Sequence, residues 1–271
     1  MNDLVDNQGI LYRTWDAASP RAILLLVHGL GAHTARWDFL GSYMAARGVA
    51  SYGLELRGFG RTPDRPRGHV DSFSVWEEDI LRLREIIASE HPGQKVYLLG
   101  ESLGGLTVFN LAASRPEAFA GQIHISPCFK NGLKFPISSY LTLVYQYPFN
   151  KRKTIPVPFT SAMCTRDEAY AAVMEANPDE LRVSSLKMLM DTLSGQRRAF
   201  RAAASASVPV LFLLAGQDQL VDETASHKLF EKLALADKTV INYPEMHHAL
   251  SIDRGRERVF DDILAWLQPR A

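Results

Sequence analysis

The stretch from Lys95 to Phe109, KVYLLGESLGGLTVF, constrains the fold of this chain more than any other. A short apolar run ends in Gly100-Glu101-Ser102-Leu103-Gly104-Gly105, and a helix-forming run, Leu106 to Ala113, follows at once. The pattern reads as strand, sharp turn, helix. A serine in such a turn takes a strained backbone conformation that pushes its hydroxyl out of the sheet, while Gly100 and Gly104 leave room where side chains would collide. Ser102 Oγ is therefore offered to a substrate.

The rest of the chain supplies the sheet that such a turn requires. Ile10 to Trp15 reads as an early strand, and Arg21 to Val27 as a nearly all-aliphatic one that must be buried on both faces. Helical periodicity runs from Trp37 to Arg47 and stops at Gly48, a good C-cap residue. Val49 to Leu54 is a further buried strand, Ser74 to Glu90 an amphipathic helix with Ile80, Leu83, Ile86 and Ile87 on its inner face, and Gln122 to Ser126 a strand. Strands alternating with helices predict an α/β fold, a mostly parallel sheet with helices on both faces. The alternation lapses between Phe129 and Ser207, where prolines interrupt and apolar residues crowd, with helix-forming composition over 166–175 and 185–204. We expect an inserted, largely helical cap there, so that 1–128 and 208–271 are the two parts of one core. The core resumes with a strand over 208–214, a helix over 224–234, a strand over 238–243 and a last helix over 257–267.

The overall charge narrows the partners. Lysine plus arginine equals aspartate plus glutamate, 30 each in 271 residues, so nothing recruits nucleic acid, and a small molecule is the expected partner. No secretory signal or membrane-spanning run is visible. The two cysteines, Cys128 and Cys164, have no metal-ligand spacing, and a reducing, cytoplasmic compartment is the simplest home. The sequence specifies no oligomeric state.

Nucleophilic acyl transfer needs a hydroxyl, a base to take its proton, and an acid that orients the base. Catalytic groups in sheets of this kind sit at the carboxyl ends of strands. Ser102 does; Asp218 follows the strand of 208–214; and a histidine pair, His247 and His248, follows the strand of 238–243. Serine, then aspartate, then histidine is the expected order. The early aliphatic strand ends in His28-Gly29-Leu30-Gly31, a turn that places a backbone N–H donor for an oxyanion. That donor would be the Leu30 amide, paired with the Leu103 amide after the nucleophile.

These stretches, with Arg57-Gly58-Phe59-Gly60, Ile125-Ser126-Pro127, Ala215-Gly216-Gln217-Asp218 and Tyr243-Pro244-Glu245-Met246-His247-His248, resemble the α/β-hydrolase superfamily, within it the monoacylglycerol lipase and lysophospholipase branch. The resemblance covers nearly everything but the cap. It implies the α/β-hydrolase fold and a serine ester hydrolase acting on lipid-like esters, with monoacylglycerols ahead of lysophospholipids or small esters. The family's spacing from Tyr243 selects His248 over His247. Two departures stand out: Glu101 occupies the position before the nucleophile where the branch has histidine, and Glu55-Leu56 precedes the Arg-Gly-x-Gly turn where it has aspartate. An acyltransferase, or a slow-turnover receptor on the same fold, would show the same motifs. The chemistry calls for no metal or organic cofactor. Asp222, just before a helix, reads as a capping residue. Aromatic cap residues, Phe129, Tyr140 and Tyr145 foremost, are the candidates to bind the substrate's acyl chain, and the cap's apolar surface offers a transient contact with membranes.

Overall fold

A strand that is apolar at every position belongs where both faces of the sheet are covered. In the computed structural model, which describes residues 2–271, Ala22–Val27 lies in such a place, with every residue buried. The chain opens with strands β1 (Asn2–Val5), β2 (Leu11–Trp15) and β3 (Ala22–Val27), then helix α1 (Asp38–Ala45) and strand β4 (Val49–Leu54). Helix α2 (Phe73–Glu90), strand β5 (Val96–Glu101), helix α3 (Leu103–Ser114) and strand β6 (Gly121–Ile125) follow. Next come α4 (Ile137–Gln146), β7 (Thr154–Pro156), α5 (Ser161–Cys164), α6 (Glu168–Ala176), β8 (Val183–Ser185) and α7 (Leu186–Ala202). The chain closes with β9 (Val210–Ala215), α8 (Glu223–Lys232), β10 (Lys238–Tyr243) and α9 (Arg256–Leu267).

Eight strands form the main sheet in the order β1-β2-β4-β3-β5-β6-β9-β10, parallel from β4 onward and antiparallel only at the β1-β2-β4 edge. This is the expected α/β-hydrolase architecture. Side-chain alternation along β3 divides the core in two. Ile23, Leu25 and Val27 join Trp76, Phe109 and Phe212 under α2, α3 and α7, whereas Leu24 and Leu26 join Trp37, Phe260 and Ile263 under α1 and α9. Each fully buried aliphatic side chain contributes about 1.5–3 kcal/mol. Helix α2 begins where Ser72 Oγ accepts the Ser74 amide at 3.2 Å, and it buries Trp76, Ile80, Leu83 and Ile87 in one stripe.

The segment expected as a cap is largely helical, through α4, α5, α6 and α7, and three features qualify it. It contains a two-stranded antiparallel sheet, β7 with β8. Helix α7 packs on α3 and sends Met188 and Ala199 into the main core, so the last part of 129–207 also belongs to the core. Helix α4 buries none of its residues and exposes Ile137, Tyr140, Leu141, Val144 and Tyr145. Among the described residues no helix is long and apolar enough to cross a membrane.

Candidate active site

Ser102 stands between β5 and α3 with φ 57° and ψ −118°, the left-handed region that costs a non-glycine residue about 1–3 kcal/mol. Three hydrogen bonds hold it there: its amide donates to Ile125 O at 2.9 Å, and its carbonyl accepts from Cys128 N at 2.9 Å and Leu106 N at 3.2 Å. The turn is crowded to the point of excluding side chains. A Cβ at Gly104 would lie 2.2 Å from Val27 O, and one at Gly29 would lie 2.9 Å from Ser102 Cβ. Ser102 Oγ makes no hydrogen bond among the described residues and faces a cavity of about 250 Å³ that His248 also lines.

Asp218 lies three residues past β9. Its Oδ1 accepts the Leu220 amide at 2.8 Å and the Val221 amide at 3.0 Å, which fixes the carboxylate, and its Oδ2 accepts from His248 Nδ1 at 2.7 Å. That bond leaves Nε2 of a neutral His248 free to accept a proton. Burial works against a charged imidazole, but the Asp218 carboxylate, helped by the charge of Glu101, outweighs it and raises the proton affinity of His248 above its ordinary value.

The adjacent histidine has other work. His247 Nδ1 meets Ala162 O at 2.9 Å and its amide donates to Asp253 Oδ2, so it belongs to the junction with the inserted segment. Asp222 caps α8, accepting the Thr224 amide at 3.0 Å, and pairs with Lys130 at 2.6 Å.

Leu30 and Leu103 both line the cavity. The Leu30 amide has no acceptor among the described residues, and Leu103 is the first residue of α3, where a helix has no internal partner for its N–H. Two unengaged donors beside the serine hydroxyl are what an oxyanion requires. His28 supports their turn: its Nε2 accepts the Leu56 amide at 3.1 Å and its Nδ1 donates to Gly29 O at 2.9 Å, while burial lowers it to about 3 and keeps it neutral.

Of the three aromatic residues expected at the acyl chain, only Tyr140 lines the cavity. Phe129 is buried in the core against Phe109, His124 and Phe212, because its place beside the end of β6 turns it under the sheet's helices. Tyr145 is 71% exposed, since α4 has nothing packed on that side. The apolar wall comes instead from residues such as Leu133, Phe135, Leu143, Val157, Phe159 and Leu193.

Sequence reasoning missed a set of anchors. Arg36 pairs doubly with Glu180, its Nε at 2.7 Å, and so ties the turn after β3 to the inserted segment. Asp253, fully buried, accepts from Arg166 Nε at 2.9 Å and Thr165 Oγ1 at 3.1 Å, tying the His248 loop to the same segment. Glu101 accepts from Ser251 in the wall of the cavity. These partners lie 87 to 150 residues apart, so no local pattern announces them.

The family described as serine aminopeptidase, S33, matches residues 18–255. The human protein named monoglyceride lipase is 27% identical over 274 residues, 98% of this chain and 88% of that protein. A monoacylglycerol lipase of Mycolicibacterium smegmatis is 28% identical over 264 residues, 95% of this chain and 92% of that protein. The crystal structure of a Paleococcus ferrophilus monoacylglycerol lipase superposes with a TM-score of 0.87 at 25% identity, covering 97% of this chain and 99% of the other.

Proposed function

The chain belongs to the serine aminopeptidase S33 family of α/β-hydrolases, on its monoacylglycerol lipase-like branch, and from that premise we propose a serine ester hydrolase cleaving monoacylglycerol-like esters through an acyl-enzyme on Ser102. The observation that carries the reading is the convergence on one cavity of Ser102, the Asp218-paired His248, and the unengaged amides of Leu30 and Leu103. Ser102 Oγ attacks the ester carbonyl as His248 Nε2 takes its proton. The developing oxyanion accepts from the Leu30 and Leu103 amides, and the imidazolium returns the proton to the departing alcohol. Water, activated by the same histidine, then releases the acid.

The cavity wall favours an ester of a long acyl chain over a peptide. It is chiefly apolar, with Glu101 the one carboxylate among the lining residues. A neutral head group also fits better than a phosphate. Arg36 is the only cationic lysine or arginine on the wall and is taken by Glu180; Lys130 pairs with Asp222 and Arg152 with Asp71. The exposed apolar row of α4 supports a further element of the proposal, transient docking on lipid surfaces, with co-sedimentation on neutral phospholipid vesicles lost when Leu141 and Tyr145 become serine.

A panel of p-nitrophenyl esters of graded length tests the substrate class. We expect kcat/KM to rise by up to about fourfold per carbon, from ~0.8 kcal/mol per buried CH₂, and then to plateau as the cavity fills. Rates highest on acetyl esters and falling from butanoyl onward would overturn the lipid assignment. Added alcohol trapped as a new ester in preference to free acid would move the enzyme to the acyltransferases.

A further inference from the structure

Glu101 is a buried carboxylate without a cation. It ends β5 immediately before the nucleophile, is 4% exposed, and shares the cavity wall with Ser102 and His248. Two other buried acids, Asp253 and Asp79, pair with Arg166 and Arg57, and the Glu180 side chain pairs with Arg36; Glu55, beside a neutral His28, is held like Glu101 by hydrogen bonds, with Thr34 Oγ1 donating at 2.6 Å. Glu101 has no ion pair among the described residues. Its contacts are to Ser251, whose hydroxyl lies 2.9 Å from Oε1 and 3.1 Å from Oε2, and whose amide donates to Oε1 at 3.3 Å.

Ser251 is fully buried and lies three residues beyond His248. The contact therefore joins the strand that carries the nucleophile to the loop that carries the base. A buried carboxylate satisfied only by hydrogen bonds is costly, so a hydrophobic or neutral residue there would be more stable. We propose that Glu101 is a positioning residue for His248, fixing its loop through Ser251 and, when ionised, setting a second negative charge beside the imidazole. The inference rests on the acyl-enzyme reading above.

The charges around the pair are few. Asp218, Glu101 and Arg36 act electrostatically on His248, and His248, Arg36, Cys164 and Tyr170 share such interactions with Glu101. Arg36 is already committed to Glu180. Burial pushes the Cys164 thiol up to about 11 and the Tyr170 phenol up to about 12, so both stay neutral over the working range. Burial also pushes Glu101 upward, against the pull of His248, Arg36 and Ser251. When ionised, Glu101 favours the imidazolium that forms during catalysis.

The test uses Glu101→Gln, Ser251→Ala and the double variant, read by the pH profile of kcat/KM on a p-nitrophenyl ester, kcat, KM and melting temperature. Glutamine keeps an acceptor for Ser251 and removes the charge. We expect kcat to fall roughly tenfold to hundredfold with KM little changed, as for a small misplacement of a catalytic group. The acid limb should move to lower pH, because the imidazolium has lost a stabilising charge, while the melting temperature holds or rises. Ser251→Ala should also lower kcat, and the double variant should be no worse than the poorer single one, since both act through one contact. An unmoved acid limb, or kcat within twofold of the parent, would overturn the proposal. A parent that neither turns over esters nor is labelled at Ser102 would instead sink the acyl-enzyme reading beneath it.

Discussion

Two aspartates stand four residues apart after β9, and their hydrogen bonds separate their work. Asp218 holds His248, whereas Asp222 holds a helix end and Lys130. Asp218→Asn keeps the shape but lets His248 adopt the wrong tautomer, so kcat/KM should fall by about 10⁴. Asp222→Asn removes part of a cap worth about 1 kcal/mol, and its kcat/KM should stay within about tenfold of the parent. Steady-state rates of the two purified variants decide it, and the reverse ranking would transfer the orienting role. The pH profile follows from the same contacts. His248 must be neutral to accept a proton, and Asp218 and Glu101 raise its affinity for one against the effect of burial. The acid limb of kcat/KM should therefore lie above about 6.5, the ordinary imidazole value, with activity lost as pH falls through it. A rate that stays flat down to pH 5 would exclude His248 as the base. The pairing of Asp218 with a histidine was legible because an apolar strand delivers it, and the capping by Asp222 because Glu223 and Thr224 open a helix behind it.

At the scale of elements, the site depends on two turns pressed together, the Gly29–Leu30 turn after β3 and the Ser102–Leu103 turn after β5. Gly29→Ala would place a methyl group 2.9 Å from Ser102 Cβ, closer than carbon atoms approach, so the turn must retreat and carry the Leu30 amide with it. Loss of one oxyanion donor should cost about 10² to 10³ in kcat, with the circular dichroism spectrum unchanged. A variant with parental kcat would show that the Leu30 amide has no part in the reaction. The strands of the main sheet were the legible elements: Val49–Leu54, buried throughout, and Lys238–Tyr243, a half-buried edge strand, occupy the expected residues, and the other main-sheet strands from β2 onward shift by one or two. The unforeseen strands lack any period to read. β1 is exposed at all four positions, and its pairing with β2 is reinforced by Arg13 on Asp3; β7 and β8 have three residues each.

For the whole molecule, the sequence announces a frame and leaves its cover obscure. The sheet, its helices and the order of Ser102, Asp218 and His248 are local patterns repeated along the chain. The walls of the cavity are assembled from residues whose meeting depends on tertiary packing, which is why Phe129 sits in the core while Leu193, from a helix of the main core, lines the cavity. The same packing locks the inserted segment to the turn after β3 and the loop of His248 through Arg36 with Glu180 and Arg166 with Asp253, and leaves α4 outside these locks with its apolar residues exposed. Everything in this account turns on one hydroxyl. The most direct test is to treat the whole protein and its Ser102→Ala variant with a fluorophosphonate probe, weigh both intact, and map the modified peptide. We expect one adduct per chain, on Ser102, and none on the variant although it melts as the parent does. An adduct that survives the substitution, or that maps to another residue, would contradict the account.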